Sequence, residues 1–285
     1  MATSRVSAFI YAGISALTLV CASARSVVAL ESPWATTRES RTRLFSGQIP
    51  GGPAATLAFI EIELSQGWKT YWRTPGDAGG LPPSFDWSQS SNLASANVLY
   101  PAPLRLTDKS GDTIGYKGHV IFPVEVRPQD AAKPVVLKLD MQYGICKDIC
   151  VPVEAKLEVE IAPGAAYPAP QLAIEAFENV PRAEGRLKPD DPVLLGAKVD
   201  LASASPRIVL EAKFPGTGGP SDIFLEAPEN LYVPLPTRAK ARGDGVEVFN
   251  VDLTAGADFA ALKGKTITAT LVSPLGASVA TFRFE

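Results

Sequence analysis

The chain has 285 residues, 46% of them hydrophobic and 20% charged, with 25 Pro, 23 Gly and a net charge of −3. So apolar a chain is not disordered, and its length supplies one large domain or two ordinary ones. The mildly acidic balance, without a basic run, argues against a nucleic-acid partner, and a single His argues against a multi-histidine metal site.

In chain order, the first element reads as an export signal. Arg5 precedes the apolar run Val6–Val20, and small residues follow, so that cleavage after Ala24 or Ala29 fits the small-x-small rule. The run is short for a bilayer crossing, and no later segment is apolar enough for one. The expectation is a signal over 1–29 and an exported, soluble mature chain without membrane insertion, in an oxidising compartment. Cys21 leaves with the signal, and Cys146 and Cys150 remain.

From about Arg41 to Ile161 strand signals recur. Thr56–Leu64 places Leu57 and Phe59 on one face, then Ile60, Ile62 and Leu64 on the other, which predicts a bulge. Val120–Val126 is a further strand. Thr74–Pro83 reads as a turn-rich loop, with a docking surface as the alternative. The clearest alternation comes last: Leu137, Leu139, Met141 and Tyr143, then Val153, Ala155, Leu157, Val159 and Ile161, each set interleaved with polar residues. This predicts two antiparallel strands with one buried face. Pro163–Pro170 breaks the pattern, and a short helix is predicted after it with Leu172, Ala176, Phe177 and Val180 on one face. Further strands are predicted from Val193 onward, over 207–214, 223–226, 246–253, 266–273 and 278–285. The fold class is all-β, two sandwiches in tandem with short helices between or at the edges, divided as 30–165, a linker over 166–190, and 191–285.

Residues four apart in a straight strand are about 13 Å apart, and a disulfide needs Cα atoms within about 7 Å. Cys146 and Cys150 can therefore join only if the chain turns at Lys147-Asp148-Ile149, which the flanking alternation supplies. Three readings stay open from spacing alone: a redox pair, a staple across a hairpin, or a soft-metal site in which Met141 or His119 assists two thiolates on Cu(I). No cofactor site is expected, and no nucleophile–His or paired-carboxylate pattern points to a hydrolase.

Four blocks in order carry a resemblance: Gly67-Trp-Lys-Thr-Tyr-Trp72, Pro75-Gly-Asp-Ala-Gly-Gly-Leu-Pro-Pro83, Gly115-Tyr-Lys-Gly-His-Val-Ile-Phe-Pro-Val124 and Tyr143-Gly-Ile-Cys-Lys-Asp-Ile-Cys-Val-Pro152. Over roughly 42–162 the chain resembles the N-terminal periplasmic domain of the DsbD thiol:disulfide interchange family, and its ScsB relatives in particular. The resemblance implies an immunoglobulin-like sandwich, a periplasmic location, and thiol–disulfide exchange through Cys146 and Cys150. Cys150 would form the mixed disulfide and Cys146 would resolve it. It also implies a cap loop at Asp112–Gly118 shielding the pair, with Asp112, Ile114 and the covering aromatic Tyr116, and an aromatic strand of Trp68, Tyr71 and Trp72 beside the site. Read from pattern alone, those three aromatics are sandwich packing. The implied partners are a thioredoxin-like periplasmic protein and a membrane thiol transporter, acting in trans because neither a transporter nor a Cys-x-x-Cys domain lies in these 285 residues. The three-residue gap between the cysteines is narrower than in DsbD itself. The second half carries no evident chemistry.

Overall fold

A computed structural model describes residues 30–52, 56–109, 111–165, 167–216, 220–242 and 244–285. The expected export signal lies outside them. No helix among the described residues is long and apolar enough to cross a membrane.

The protein is all-β, an immunoglobulin-like sandwich followed by a second β-sandwich. One sheet of the first sandwich runs in the order Ala35–Thr36, Ser40–Gly47, Thr56–Leu64, His119–Pro128, Leu93–Val98. The facing sheet runs Cys150–Ile161, Val135–Cys146, Lys69–Tyr71, Gly111–Lys117, Leu104–Asp108, with Ser84–Asp86 also paired to Val135–Cys146. The second sandwich packs Arg182–Ala183, Gly276–Arg283, Thr266–Ser273 and Asp222–Glu226 against Val193–Asp200, Arg207–Lys213, Val246–Asp252 and Thr237–Ala241. The short helices Gln171–Glu178 and Phe259–Leu262 flank these sheets.

Alternation places the core. Leu137, Leu139, Met141, Tyr143 and Ile145 point inward with Val153, Ala155, Leu157 and Val159 beside them, against Ile60, Ile62 and Phe122 of the facing sheet. Tyr143 is fully buried, and its hydroxyl bonds Ser40 at 3.0 Å and Thr42 at 2.7 Å. That bridge between sheets satisfies a phenol that would otherwise be costly to bury.

Three sequence expectations are corrected. Thr56–Leu64 carries no bulge: its register to Ser40–Gly47 and to His119–Pro128 is unbroken. The strand is buried on both faces instead, because the helix Gln171–Glu178 covers Leu57 and Phe59, while Ala58, Ile60 and Ile62 face the sandwich. The buried face of that helix is Ala173, with Ile174, Ala176 and Phe177, whereas Leu172 is exposed. The run before the helix is not a free spacer. Gln48 N donates to Tyr167 O at 2.7 Å and Ala169 N to Gln48 O at 2.9 Å, and a Cβ on Gly47 would stand 2.8 Å from the Ala169 Cα.

Glu61 lies on the helix-side face of its strand with only 6% of its side chain exposed, held by Arg43 Nε at 2.7 Å and His119 Nε2 at 2.7 Å. Burial alone would raise its pKa, but the bonds and charges of His119 and Arg43 outweigh it and hold the carboxyl below its ordinary 4.5. A depressed carboxyl stabilises the fold above its unfolded pKa and loses that contribution as pH falls through the folded value. Denaturant titrations should therefore show parent stability falling below about pH 4.5, with at most about 1.4 kcal/mol per pH unit from this one group, and a flatter fall in Glu61→Gln. Parallel curves for the two proteins would remove Glu61 from the acid response.

Candidate functional site: a disulfide at an open sheet edge

Val135–Cys146 and Cys150–Ile161 pair residue for residue, from Val135 opposite Ile161 to Cys146 opposite Cys150. The turn Lys147–Ile149 brings the two Cα atoms to 4.1 Å, and the sulfurs are bonded. Because opposite residues share a face, both cysteines lie on the outer face of the sheet while Ile145 and Met141 point inward. The two sulfurs are not equivalent. Cys146 is 9% exposed, whereas Cys150 is exposed to solvent. Cys150–Ile161 is the outermost strand of its sheet, so nothing in the sheet flanks Cys150. On the other side of Cys146 the strand Lys69–Tyr71 fills the space, with Lys69 directly opposite.

Tyr71 shares that outer face. It is 3% exposed, and its hydroxyl lies 3.4 Å from the Cys150 sulfur. Burial, then the charge of Asp108, raises its pKa above the ordinary 10, so at neutral pH the phenol is a proton donor. Its ring is held between two glycines: a Cβ on Gly80 would come within 2.1 Å of it and one on Gly144 within 2.9 Å. Gly80 belongs to an excursion, Trp72–Pro83, between Lys69–Tyr71 and Ser84–Asp86, two pieces that both run along Val135–Cys146. The excursion folds back across Tyr71 as a strap. Its outgoing limb rests on Gly111–Lys117 through Ile114 N to Pro75 O at 2.8 Å and Ala78 N to Asp112 O at 3.1 Å; its return is fixed by Gly144 N to Leu81 O at 2.9 Å.

Residues 45–161 match the family described as "Thiol:disulfide interchange protein DsbD, N-terminal". This segment is similar to that family. The crystal structure of the N-terminal periplasmic domain of ScsB from Proteus mirabilis is similar at 20% identity, with a TM-score of 0.64, covering 89% of this chain and 97% of that one. That coverage exceeds what residues 45–161 provide, so the likeness of fold extends into the second sandwich. No curated protein matches the chain.

The DsbD-type site gathers only some of the expected residues. Cys146, Cys150 and Tyr71 come together. Trp68 is half-buried and packs on the first core, and Trp72 is fully buried, its ring 6.0 Å from Phe224 of the second sandwich. The expected cap residues lie in the strand Gly111–Lys117. Tyr116 faces the interior at 5% exposure, its ring 5.5 Å from Phe122 and its hydroxyl donating to Pro101 O at 2.8 Å. It cannot cover the sulfurs, because it pairs with Thr70 and so shares the inner face with Ile145. Ile114 is fully buried, and Asp112 binds Arg105 and Thr107 through its side chain. These two are the shelf under the strap. The screen over Tyr71 is Gly80–Leu81, from the segment expected to be a turn-rich loop or, alternatively, a docking surface.

Sequence reasoning missed Lys69, whose side chain is 7% exposed and donates to Asp108 at 2.6 Å and Thr113 at 2.8 Å. A charge inside an aromatic strand was the available signal; its pairing with Asp108 offsets its pull on a Cys146 thiolate. Lys147 reaches back along the turn toward Gln66 O at 3.4 Å. Neither added copper ligand stands at the sulfurs. Met141 is fully buried on the inner face, and His119 begins a strand of the other sheet, bonded to Glu61.

In the reduced protein the Tyr71 hydroxyl would donate to a Cys150 thiolate and stabilise it. Tyr71→Phe keeps the ring and loses the donor, and should raise the Cys150 thiol pKa by about one unit. The pH dependence of iodoacetamide alkylation reads this directly, and an unchanged profile would mean that Tyr71 only packs.

Proposed function

We propose that this protein is a periplasmic thiol–disulfide exchange module that relays electrons through Cys146 and Cys150, with Cys150 forming the mixed disulfide and Cys146 resolving it. The observation that carries the reading is the asymmetry of the two sulfurs. Thiolate attack on a disulfide comes in line with the bond being broken. The line through Cys150 opens at the free sheet edge, whereas the line through Cys146 runs into Lys69–Tyr71. The similarity of residues 45–161 to the DsbD N-terminal family supports the same chemistry.

A partner thiolate attacks the Cys150 sulfur, the Cys146–Cys150 bond breaks, and Cys146 leaves as a thiolate that takes up a proton. The partner's second thiol, deprotonated, then attacks its own sulfur in the mixed disulfide and releases Cys150. The partner ends oxidised by two electrons and this pair reduced by two; the reverse sequence passes the electrons onward. A thioredoxin-like periplasmic dithiol suits this exchange, with a membrane thiol transporter at the far end of the relay. Ile149 at 66% exposure and Leu81 at 45% give such a partner apolar contacts near the exposed sulfur.

A purely structural role is less well supported. Closing a loop this short contributes only about 2 kcal/mol in the chain-entropy picture. The hairpin is already held by its ladder and by the Tyr143 bridge.

Single-cysteine variants separate the roles. With thioredoxin as the dithiol, the parent disulfide should be reduced. After activation with an aromatic disulfide, and against a thioredoxin whose second, resolving cysteine is replaced by Ser, Cys146→Ser should yield a mixed disulfide that persists in the absence of other thiols, and Cys150→Ser should yield at least about tenfold less. Equal trapping by both variants would overturn the assignment of Cys150.

A further inference from the structure

The strap is held from outside its own sandwich. At its start Arg73 makes a bidentate pair with Glu226, Nε to Oε1 at 2.7 Å and Nη2 to Oε2 at 2.6 Å, and the Thr74 hydroxyl donates to the same carboxylate at 3.1 Å. Farther along, the Tyr232 hydroxyl donates to Asp77 Oδ1 at 2.8 Å. Glu226 ends the strand Asp222–Glu226, and Tyr232 follows the turn Pro228–Asn230; both belong to the second half. The Arg73 guanidinium also stacks on Trp72 at 4.2 Å, and Trp72 in turn meets Phe224. Only 18% of the Glu226 side chain is exposed, so its charge needs the Arg73 fork, and that need fixes where the strap begins.

One short segment thus touches the second sandwich at Arg73, Thr74 and Asp77, and lies on Tyr71 at Gly80. Trp72–Pro83 has no strand of its own; its conformation rests on these contacts, on the shelf of Asp112 and Ile114, and on the bond at Gly144. Removing the outer contacts frees the strap to leave Tyr71, and a freed Tyr71 spends less time with its hydroxyl at Cys150.

We propose that Glu226 and Tyr232 are positioning residues through which the second sandwich seats the strap on Tyr71 and so tunes the Cys150 thiol. The proposal rests on the exchange reading above. It gives the second half a role in the chemistry, although none of its residues touches the cysteines.

The experiment uses the full chain, reduced with dithiothreitol, and measures the Cys150 thiol pKa by the pH dependence of alkylation. Tyr232→Phe and Glu226→Gln should each raise it in the direction of Tyr71→Phe, leaving about threefold less thiolate at neutral pH. Asp77→Asn, which keeps the acceptor for Tyr232, should match the parent. In a Tyr71→Phe background, Tyr232→Phe should add nothing, since the hydroxyl it acts through is gone. A loss of packing alone would lower thermal stability and leave this profile in place. If Tyr71→Phe shifts the profile and neither Tyr232→Phe nor Glu226→Gln does, the positioning role is overturned and the exchange reading stands. If the native parent disulfide resists dithiothreitol altogether, the exchange reading falls, and this one with it.

Discussion

The register of one hairpin governs the site. Val135–Cys146 and Cys150–Ile161 pair without interruption, so the residue that faces the core at one end decides which side chain faces out at the other. Leu137, Leu139, Met141 and Tyr143 fill the sandwich, and Cys146 is then obliged to stand on the opposite face, across from Cys150. A slip of one residue would turn the core outward, so the sulfurs are placed by burial many residues away as firmly as by their own bond. The Tyr143 hydroxyl, shared between Ser40 and Thr42, ties this register to the facing sheet.

The same hairpin lies at a sheet edge, where a protein is most open to an unwanted added strand. Here the edge carries Pro152, which has no N–H to offer, and the charged Glu154, Lys156 and Glu158 facing out. A visiting protein therefore finds a sulfur more easily than a ladder. Both sulfurs stand on the outer face, that of Cys150 at the rim and that of Cys146 beside Lys69 of the neighbouring strand. The chemistry follows from that difference in surroundings between two otherwise identical side chains.

The hairpin was legible in the sequence because period-two alternation is a local signal and Cys146 and Cys150 sit where it breaks. The tandem all-β organisation was legible for the same reason, and strands such as Arg207–Lys213 and Thr266–Ser273 fall where their alternation places them. Thr56–Leu64 misled because a strand covered on both faces carries apolar residues on both, which imitates a change of face; its unbroken apolar stretch Leu57–Ile60 was the better guide. Tyr116 misled because resemblance gives a neighbourhood and not a side of the sheet. Gly115, opposite Tyr71, takes the outer face, where a Cβ would stand 2.0 Å from Thr70 O, so Tyr116 goes inward. The strap was invisible for a deeper reason. Glycine and proline announce a turn but not its destination, and here the destination is set by Gly144 and by Glu226, far along the chain.

The most direct measurement is the midpoint potential of the Cys146–Cys150 couple in the native protein, equilibrated against thiol–disulfide buffers. An exchange pair must be reducible by the dithiols it meets, and the account predicts a potential above about −300 mV. A value well below that would make the bond a permanent crosslink and contradict the account.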